Sequence, residues 1–246
     1  FMMGKLTSSD NSFISYKFRP GRRGPTVIYL GGYHSNMEGE KALGIDKWAV
    51  KNSIKYLRFD YFGHGTSSGN FAEGTITRWL NDTLRIIDNA TKGKLILVGS
   101  SMGGWISFLA TLKRRKRIDG IVCIAPALDF TEDLIWKKIP PSKKKSLLKK
   151  GCYYENFKSN ESYPITMKLI KDGRKHLLLR KKINIKCPIR IIHGIKDAIV
   201  PWQINYKIEK KVSTKNLTIT LIKNGDHSLS KNSDIKTITY TVESLI

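Results

Sequence analysis

Gly99-Ser100-Ser101-Met102-Gly103-Gly104 is the stretch on which the reading of this chain turns. Ser101 has a glycine two positions away on each side, and it stands between two different hydrophobic patterns. Ahead of it, Lys94-Leu95-Ile96-Leu97-Val98 is a nearly unbroken apolar run, as expected of a strand covered on both faces in a parallel sheet. Behind it, Trp105, Phe108, Leu109 and Leu112 recur at helical spacing. A strand that turns at once into a helix needs a tight, strained corner, and glycine is required where a side chain would strike the neighbouring backbone. Such a corner lifts the Ser101 hydroxyl clear of the sheet edge. It also leaves the N–H of Met102 at a helix start, where it can donate to a developing oxyanion. The competing reading is a glycine-rich strand-to-helix turn with an idle serine.

Working outward, strand and helix patterns alternate. Ser12 to Pro20 and Thr26 to Leu30 read as two short strands joined by the turn-forming PGRRGP, an antiparallel opening before the parallel part. A helix from Glu38 to about Asn52 and a strand from Ile54 to Asp60 follow. From Gly74 to Ala90, Ile76, Leu80, Leu84 and Ile87 form one apolar stripe facing a sheet. Further strands are expected at Ile118–Ala125, Pro188–Gly194 and Leu217–Ile222, and a C-terminal helix from about Ser233. This alternation implies an α/β class with a doubly wound, mostly parallel sheet. The 246 residues suit one domain, 1–246, interrupted by a helical lid insertion at about 128–186 where the alternation stops.

Composition narrows the function classes. No run approaches the roughly 18 apolar residues of a membrane span, and the N-terminus has no long apolar core of a signal peptide. The expectation is an intracellular, cytoplasmic protein. Three cysteines, Cys123, Cys152 and Cys187, without C-x-x-C spacing indicate neither a disulfide framework nor a zinc site. The net charge of +24, from 44 basic and 20 acidic residues, raises nucleic acid or an anionic membrane as partners. The lysines are spread along the chain, however, and no basic stripe interleaved with aromatics or helix-turn-helix pattern accompanies them. The charge therefore reads as compositional, and neither partner is indicated.

A serine hydroxyl needs an imidazole to take its proton and a carboxylate to orient that imidazole. In this strand-helix architecture the chain order is Ser, acid, His. Of the five histidines, His34 and His64 precede Ser101, His176 lies in the lid and His193 sits in a strand end. His227, in the loop Asn224–Ser230 after the last strand, is the expected base. Asp197, three residues past Gly194 at a strand end, is the expected acid, with Asp129 the alternative. Gly31-Gly32 at the end of a strand place the N–H of Tyr33 as second oxyanion donor beside that of Met102. Trp105, Phe130, Leu134 and Trp136 are candidates for an acyl pocket, with Ile135 and Ile139 beside the last three. Lys137, Lys138, Lys143, Lys144, Lys145, Lys149 and Lys150 are expected to stand in the lid without acidic partners.

HGIKDAIVPW preceded by CPIRII, FDYFGHGTSSGN, and GSSMGGW resemble the α/β-hydrolase branch that includes the mitochondrial palmitoyl-protein thioesterase, also known as mycophenolic acid acyl-glucuronide esterase, and its bacterial relatives. The likeness runs from about Thr26 to the C-terminus and is weakest through the lid. It implies the α/β-hydrolase fold and matches nucleophile, acid and base to Ser101, Asp197 and His227. The expected activity is hydrolysis of acyl thioesters or carboxylic esters through an acyl-serine intermediate, on a small-molecule or acyl-protein substrate, without metal or organic cofactor. Two other readings are a catalytically idle binding module and a peptidase of the same fold. Acyl length, leaving group and oligomeric state are left open by the sequence.

Overall fold

The computed structural model describes residues 1–155 and 162–246. Its strands are β1 (Met2–Thr7), β2 (Phe13–Arg19), β3 (Arg23–Leu30), β4 (Ile54–Phe59), β5 (Leu95–Ser100), β6 (Ile118–Ile124), β7 (Cys152–Glu155), β8 (Tyr163–Thr166), β9 (Ile189–Gly194) and β10 (Leu217–Ile222). Eight of them form one sheet in the order β1-β2-β4-β3-β5-β6-β9-β10. The pairings β1 with β2 and β2 with β4 are antiparallel, and the others are parallel. The helices are α1 (Glu40–Lys51), α2 (Ile76–Arg85), α3 (Met102–Lys113), α4 (Pro141–Lys150), α5 (Met167–Gly173), α6 (Ile204–Lys211) and α7 (Asn232–Glu243).

The apolar run ahead of Ser101 is β5, buried at every position. Because side chains alternate across a strand, Leu95 and Leu97 enter one core with Trp105, Ile106 and Phe108 of α3, while Ile96 and Val98 enter the other. In that second core they meet Ala42, Ile45 and Ala49 of α1 and Ile238 and Val242 of α7. Each buried aliphatic side chain contributes about 1.5–3 kcal/mol, so the central strands of a two-faced sheet have little tolerance for polar residues. Register aligns the carboxyl ends that build the site: Leu30 of β3 pairs with Gly99 of β5, and Ser100 with Ile124 of β6.

Two expectations are corrected, and one strand was not foreseen. The strands read at Ser12–Pro20 and Thr26–Leu30 are β2 and β3, but they are not partners, because β4 lies between them. An edge strand, β1, precedes them; its largely exposed sequence MMGKLT lacks the apolar alternation that would have announced it. The insertion between β6 and β9 is not purely helical. It contains a π-helical turn at Thr131–Trp136, α4, α5, and an antiparallel pair β7–β8 in which Tyr153 faces Ile165. Leu147, Ile165, Leu169 and Ile170 of this insertion belong to the same core as α3.

Candidate active site

At the carboxyl edge of the sheet, Ser101 Oγ lies 3.1 Å from Nε2 of His227, and Nδ1 of His227 lies 2.7 Å from Oδ2 of Asp197. Ser101 has φ 54° and ψ −114°, the strained corner expected between β5 and α3. Its backbone is held on both sides: its N–H donates to the Ile124 carbonyl at 2.9 Å and its own carbonyl accepts from Ala127 at 3.0 Å. A methyl group on Gly103 would lie 2.1 Å from the Leu30 carbonyl oxygen. Only glycine lets α3 start this close to the end of β3.

Asp197 is set by the turn after β9. Its N–H donates to the Gly194 carbonyl at 3.2 Å, and its Oδ1 accepts from the N–H groups of Ile199 and Val200, both at 2.9 Å. This leaves Oδ2 for His227. The loop carrying His227 is brought alongside by the Lys196 N–H donating to the Gly225 carbonyl at 2.9 Å. A Cβ on Gly194 would lie 2.3 Å from that same Gly225 oxygen, so the two loops touch backbone to backbone. Burial works to raise the Asp197 carboxyl, and hydrogen bonds from His193 and His227 outweigh it and hold the group well below the usual carboxylate range. An ionised carboxylate only accepts, so Nδ1 of His227 carries the proton and Nε2 is free to accept from Ser101.

Beside Ser101 is a cavity of about 300 Å³, lined by Gly32, Tyr33, Met102, Phe130, Leu134 and Ile135 among others. The Gly31-Gly32 turn runs next to the corner at Ser101, the elbow between β5 and α3, and a methyl on Gly32 would lie 3.5 Å from Ser101 Cβ. The Tyr33 hydroxyl donates to the Pro164 carbonyl at 2.8 Å, which links this loop to β8 of the insertion. Met102 is the first residue of α3.

The expected acyl-pocket residues divide. Phe130 and Leu134 line the cavity. Trp105 does not: it is fully buried behind Phe130, ring centroids 5.7 Å apart, and its Nε1 donates to the His176 carbonyl at 3.2 Å. Nor does Trp136, which lies between the Lys144 ammonium, 4.5 Å from its ring, and the Arg174 guanidinium at 4.8 Å. Helical spacing marks an inward face without saying whether that face meets packed atoms or a cavity.

Asp129, the alternative acid, is fully buried, with φ 58°. It accepts from the N–H groups of Leu178 and Leu179 at 2.8 and 2.9 Å and from Arg180 at 2.7 Å. It closes the base of the insertion. His176 also serves the insertion, with Nε2 2.6 Å from Thr77 Oγ1 of α2. The lid lysines are not all without acidic partners, contrary to expectation: Lys137 pairs with Asp133 at 2.9 Å and Lys143 with Glu155 at 2.7 Å. Glu155 lies twelve residues further on, in β7, a partner that sequence spacing does not disclose. Among the described residues no group of three or more His, Cys, Asp or Glu could hold a metal ion, and no helix is long and apolar enough to cross a membrane.

Comparison with known proteins agrees with this architecture. A family profile described as "Serine aminopeptidase, S33" matches residues 25–169. The chain is 37% identical over 243 residues to the palmitoyl-protein thioesterase ABHD10, mitochondrial, of Bos taurus, covering 98% of this chain and 79% of that one. For the Homo sapiens protein of the same name the identity is 35% over 243 residues, with 98% and 79% covered. Those names place the relatives in mitochondria and lend no support to a cytoplasmic location. Among solved structures, a hydrolase from Agrobacterium vitis S4 superposes with a TM-score of 0.95 at 36% identity, covering 100% of this chain and 98% of that one. The alpha/beta hydrolase domain-containing protein 10 from mouse gives 0.92 at 33%, with 100% and 98% covered. With its sheet order, its serine at a strained strand-to-helix corner and these near full-length likenesses, the chain belongs to the α/β-hydrolase family that includes the mitochondrial palmitoyl-protein thioesterases.

Proposed function

We propose that this serine hydrolase cleaves acyl thioesters or carboxylic esters with Ser101 as nucleophile, His227 as general base and then general acid, and Asp197 as the acid that orients it. The observation that carries the reading is the continuous chain from Ser101 Oγ to His227 at 3.1 Å and on to Asp197 at 2.7 Å. Ser101 Oγ attacks the acyl carbonyl carbon while His227 Nε2 takes the hydroxyl proton. The carbonyl oxygen becomes an oxyanion, met by the N–H groups of Tyr33 and Met102. Collapse breaks the bond to the thiol or alcohol, which leaves with the proton from His227. A water then gives a proton to His227 as it attacks the acyl-serine carbonyl carbon; collapse breaks the bond to Ser101 Oγ, which takes that proton back from His227, and the carboxylic acid is released.

Phe130, Leu134 and Ile135 supply the apolar wall that an acyl chain would meet, and the thioesterase names of the relatives support an acyl-protein or smaller acyl thioester as substrate. Tying of the Tyr33 side chain to β8 couples the oxyanion loop to the insertion. A hydrolysis series over acyl thioesters and p-nitrophenyl esters of increasing chain length tests the reading. Turnover of at least one series, falling by about a thousandfold or more in Ser101→Ala, is expected. Absence of turnover on every ester and thioester would favour the idle binding module.

A further inference from the structure

His193, the residue before the last of β9, is completely buried, and the catalytic steps above make no direct use of it. Its Nε2 lies 3.1 Å from Asp197 Oδ2 and 3.1 Å from the carbonyl oxygen of Val200. Both are acceptors, so Nε2 carries the proton and shares it between them. On the other side of the ring, Nδ1 lies 3.2 Å from the amide nitrogen of Asn205 and 3.4 Å from its amide oxygen. The shorter approach matches an amide N–H donating to an unprotonated Nδ1. Asn205, in α6, is itself 1% exposed. The imidazole is therefore neutral, in one tautomer, with both nitrogens satisfied. An aliphatic side chain would fill this space without burying any polar atom.

Oδ1 of Asp197 is already held by two backbone N–H groups. Oδ2, which receives the His227 proton bond, has His193 as its second donor, and the titratable side chains bonded to Asp197 among the described residues are these two histidines. We infer that His193 and Asn205 are positioning residues of the hydrolytic site: the His193 Nε2–H keeps Oδ2 ionised and turned toward His227, and Asn205 selects the tautomer that can do so. Ser101, His227, Asp197, His193 and Asn205 then form one hydrogen-bonded line from the cavity into the protein. The inference rests on Asp197 being the acid of the triad. Neither His193 nor Asn205 lines the cavity, so their loss should lower the rate of the chemical step and leave substrate binding alone.

The test compares His193→Leu, His193→Gln and Asn205→Leu, with kcat and KM for p-nitrophenyl butyrate and the thermal unfolding temperature of each. A glutamine amide can place an N–H near the position of Nε2; a leucine cannot. His193→Leu and Asn205→Leu are expected to lose about ten- to a hundredfold in kcat at unchanged KM, a part of the roughly 10⁴ lost with the acid itself. His193→Gln should stay within about threefold of the parent. Should His193→Leu fail to fold, the Asn205→Leu and His193→Gln pair decides. A folded leucine variant with parental kcat, or a glutamine variant as impaired as leucine, would overturn the inference. Asp197→Asn is assayed alongside: if it keeps full activity, it is the acid assignment that has failed, and not the role of His193 relative to it.

Discussion

The backbone N–H of His34 donates to Nε2 of His64 across 3.2 Å. On the other side of the His64 ring, Nδ1 donates to the Phe62 carbonyl at 3.1 Å, and nearby Asp60 Oδ1 accepts from the Met37 N–H at 2.7 Å. The turn after β4 thus clasps the loop that carries Tyr33. The two bonds of the His64 ring go to the His34 N–H and the Phe62 carbonyl, so it holds the segment that faces Ser101.

This clasp makes stability depend on pH. Burial disfavours the charged ring and, with the His34 imidazole adding to it and the Phe62 carbonyl opposing, pushes the His64 imidazole from its ordinary 6.5 down to about 4. Between those values the unfolded chain binds the extra proton and the folded chain does not, so stability rises with pH across this window. The contribution is complete above pH 6.5 and is lost as pH falls through about 4, on the order of 3 kcal/mol. Urea unfolding of the parent and His64→Leu at stepped pH should show a gap that is widest above pH 6.5 and narrows toward pH 4. Parallel curves would assign no linkage to His64.

Gly103→Ala should disrupt the elbow. The added methyl would lie 2.1 Å from the Leu30 oxygen and 2.6 Å from that of Gly31, both backbone atoms that cannot rotate away. A loss of about 3 kcal/mol or more is expected. Gly32→Ala, whose methyl makes contacts of 3.5 Å, should fold normally. Thermal unfolding of the two variants provides the comparison.

The two buried aspartates should separate by readout. Asp197→Asn replaces an acceptor of the His227 proton with an amide and should lower kcat by about 10⁴ with little change in folding. Asp129→Asn loses the charge facing Arg180, and so should lower the unfolding temperature while leaving kcat within a few-fold. The opposite ranking of kcat would move the acid to the end of β6.

Phe130 and Trp105 should also differ. Phe130→Ala enlarges the cavity wall and should shift the acyl-length optimum upward. Trp105→Ala leaves a hole behind that wall, costing about 3–5 kcal/mol, with the length preference kept. Chain-length profiles and denaturant midpoints on both variants distinguish wall from packing.

The legibility of this molecule followed its periodicities. β5, the elbow and the chain order of Ser101, Asp197 and His227 were readable because local apolar patterns, glycine spacing and one connection rule specify them. The exposed edge strand β1 was not, since it has no buried face to impose alternation. Trp105 read as a pocket residue from helical spacing and Trp136 as an apolar residue of the lid, and neither signal reports what lies against the side chain. The pairing of Lys143 with Glu155, and the bonding of His193 to Asp197 and Asn205, depend on tertiary neighbours. HGIKD places His193 four residues from Asp197, a spacing that could have drawn attention to it once the acid was chosen.

The central claim is that Ser101 is an activated nucleophile. Treating the protein with a fluorophosphonate, which reacts with a serine whose hydroxyl proton is being removed, and locating the adduct by peptide mass spectrometry tests it most directly. The account predicts a single adduct on Ser101, absent in Ser101→Ala and much slower to form in His227→Ala. An adduct on a different serine, or an unlabelled Ser101 in protein that still hydrolyses p-nitrophenyl butyrate, would contradict it.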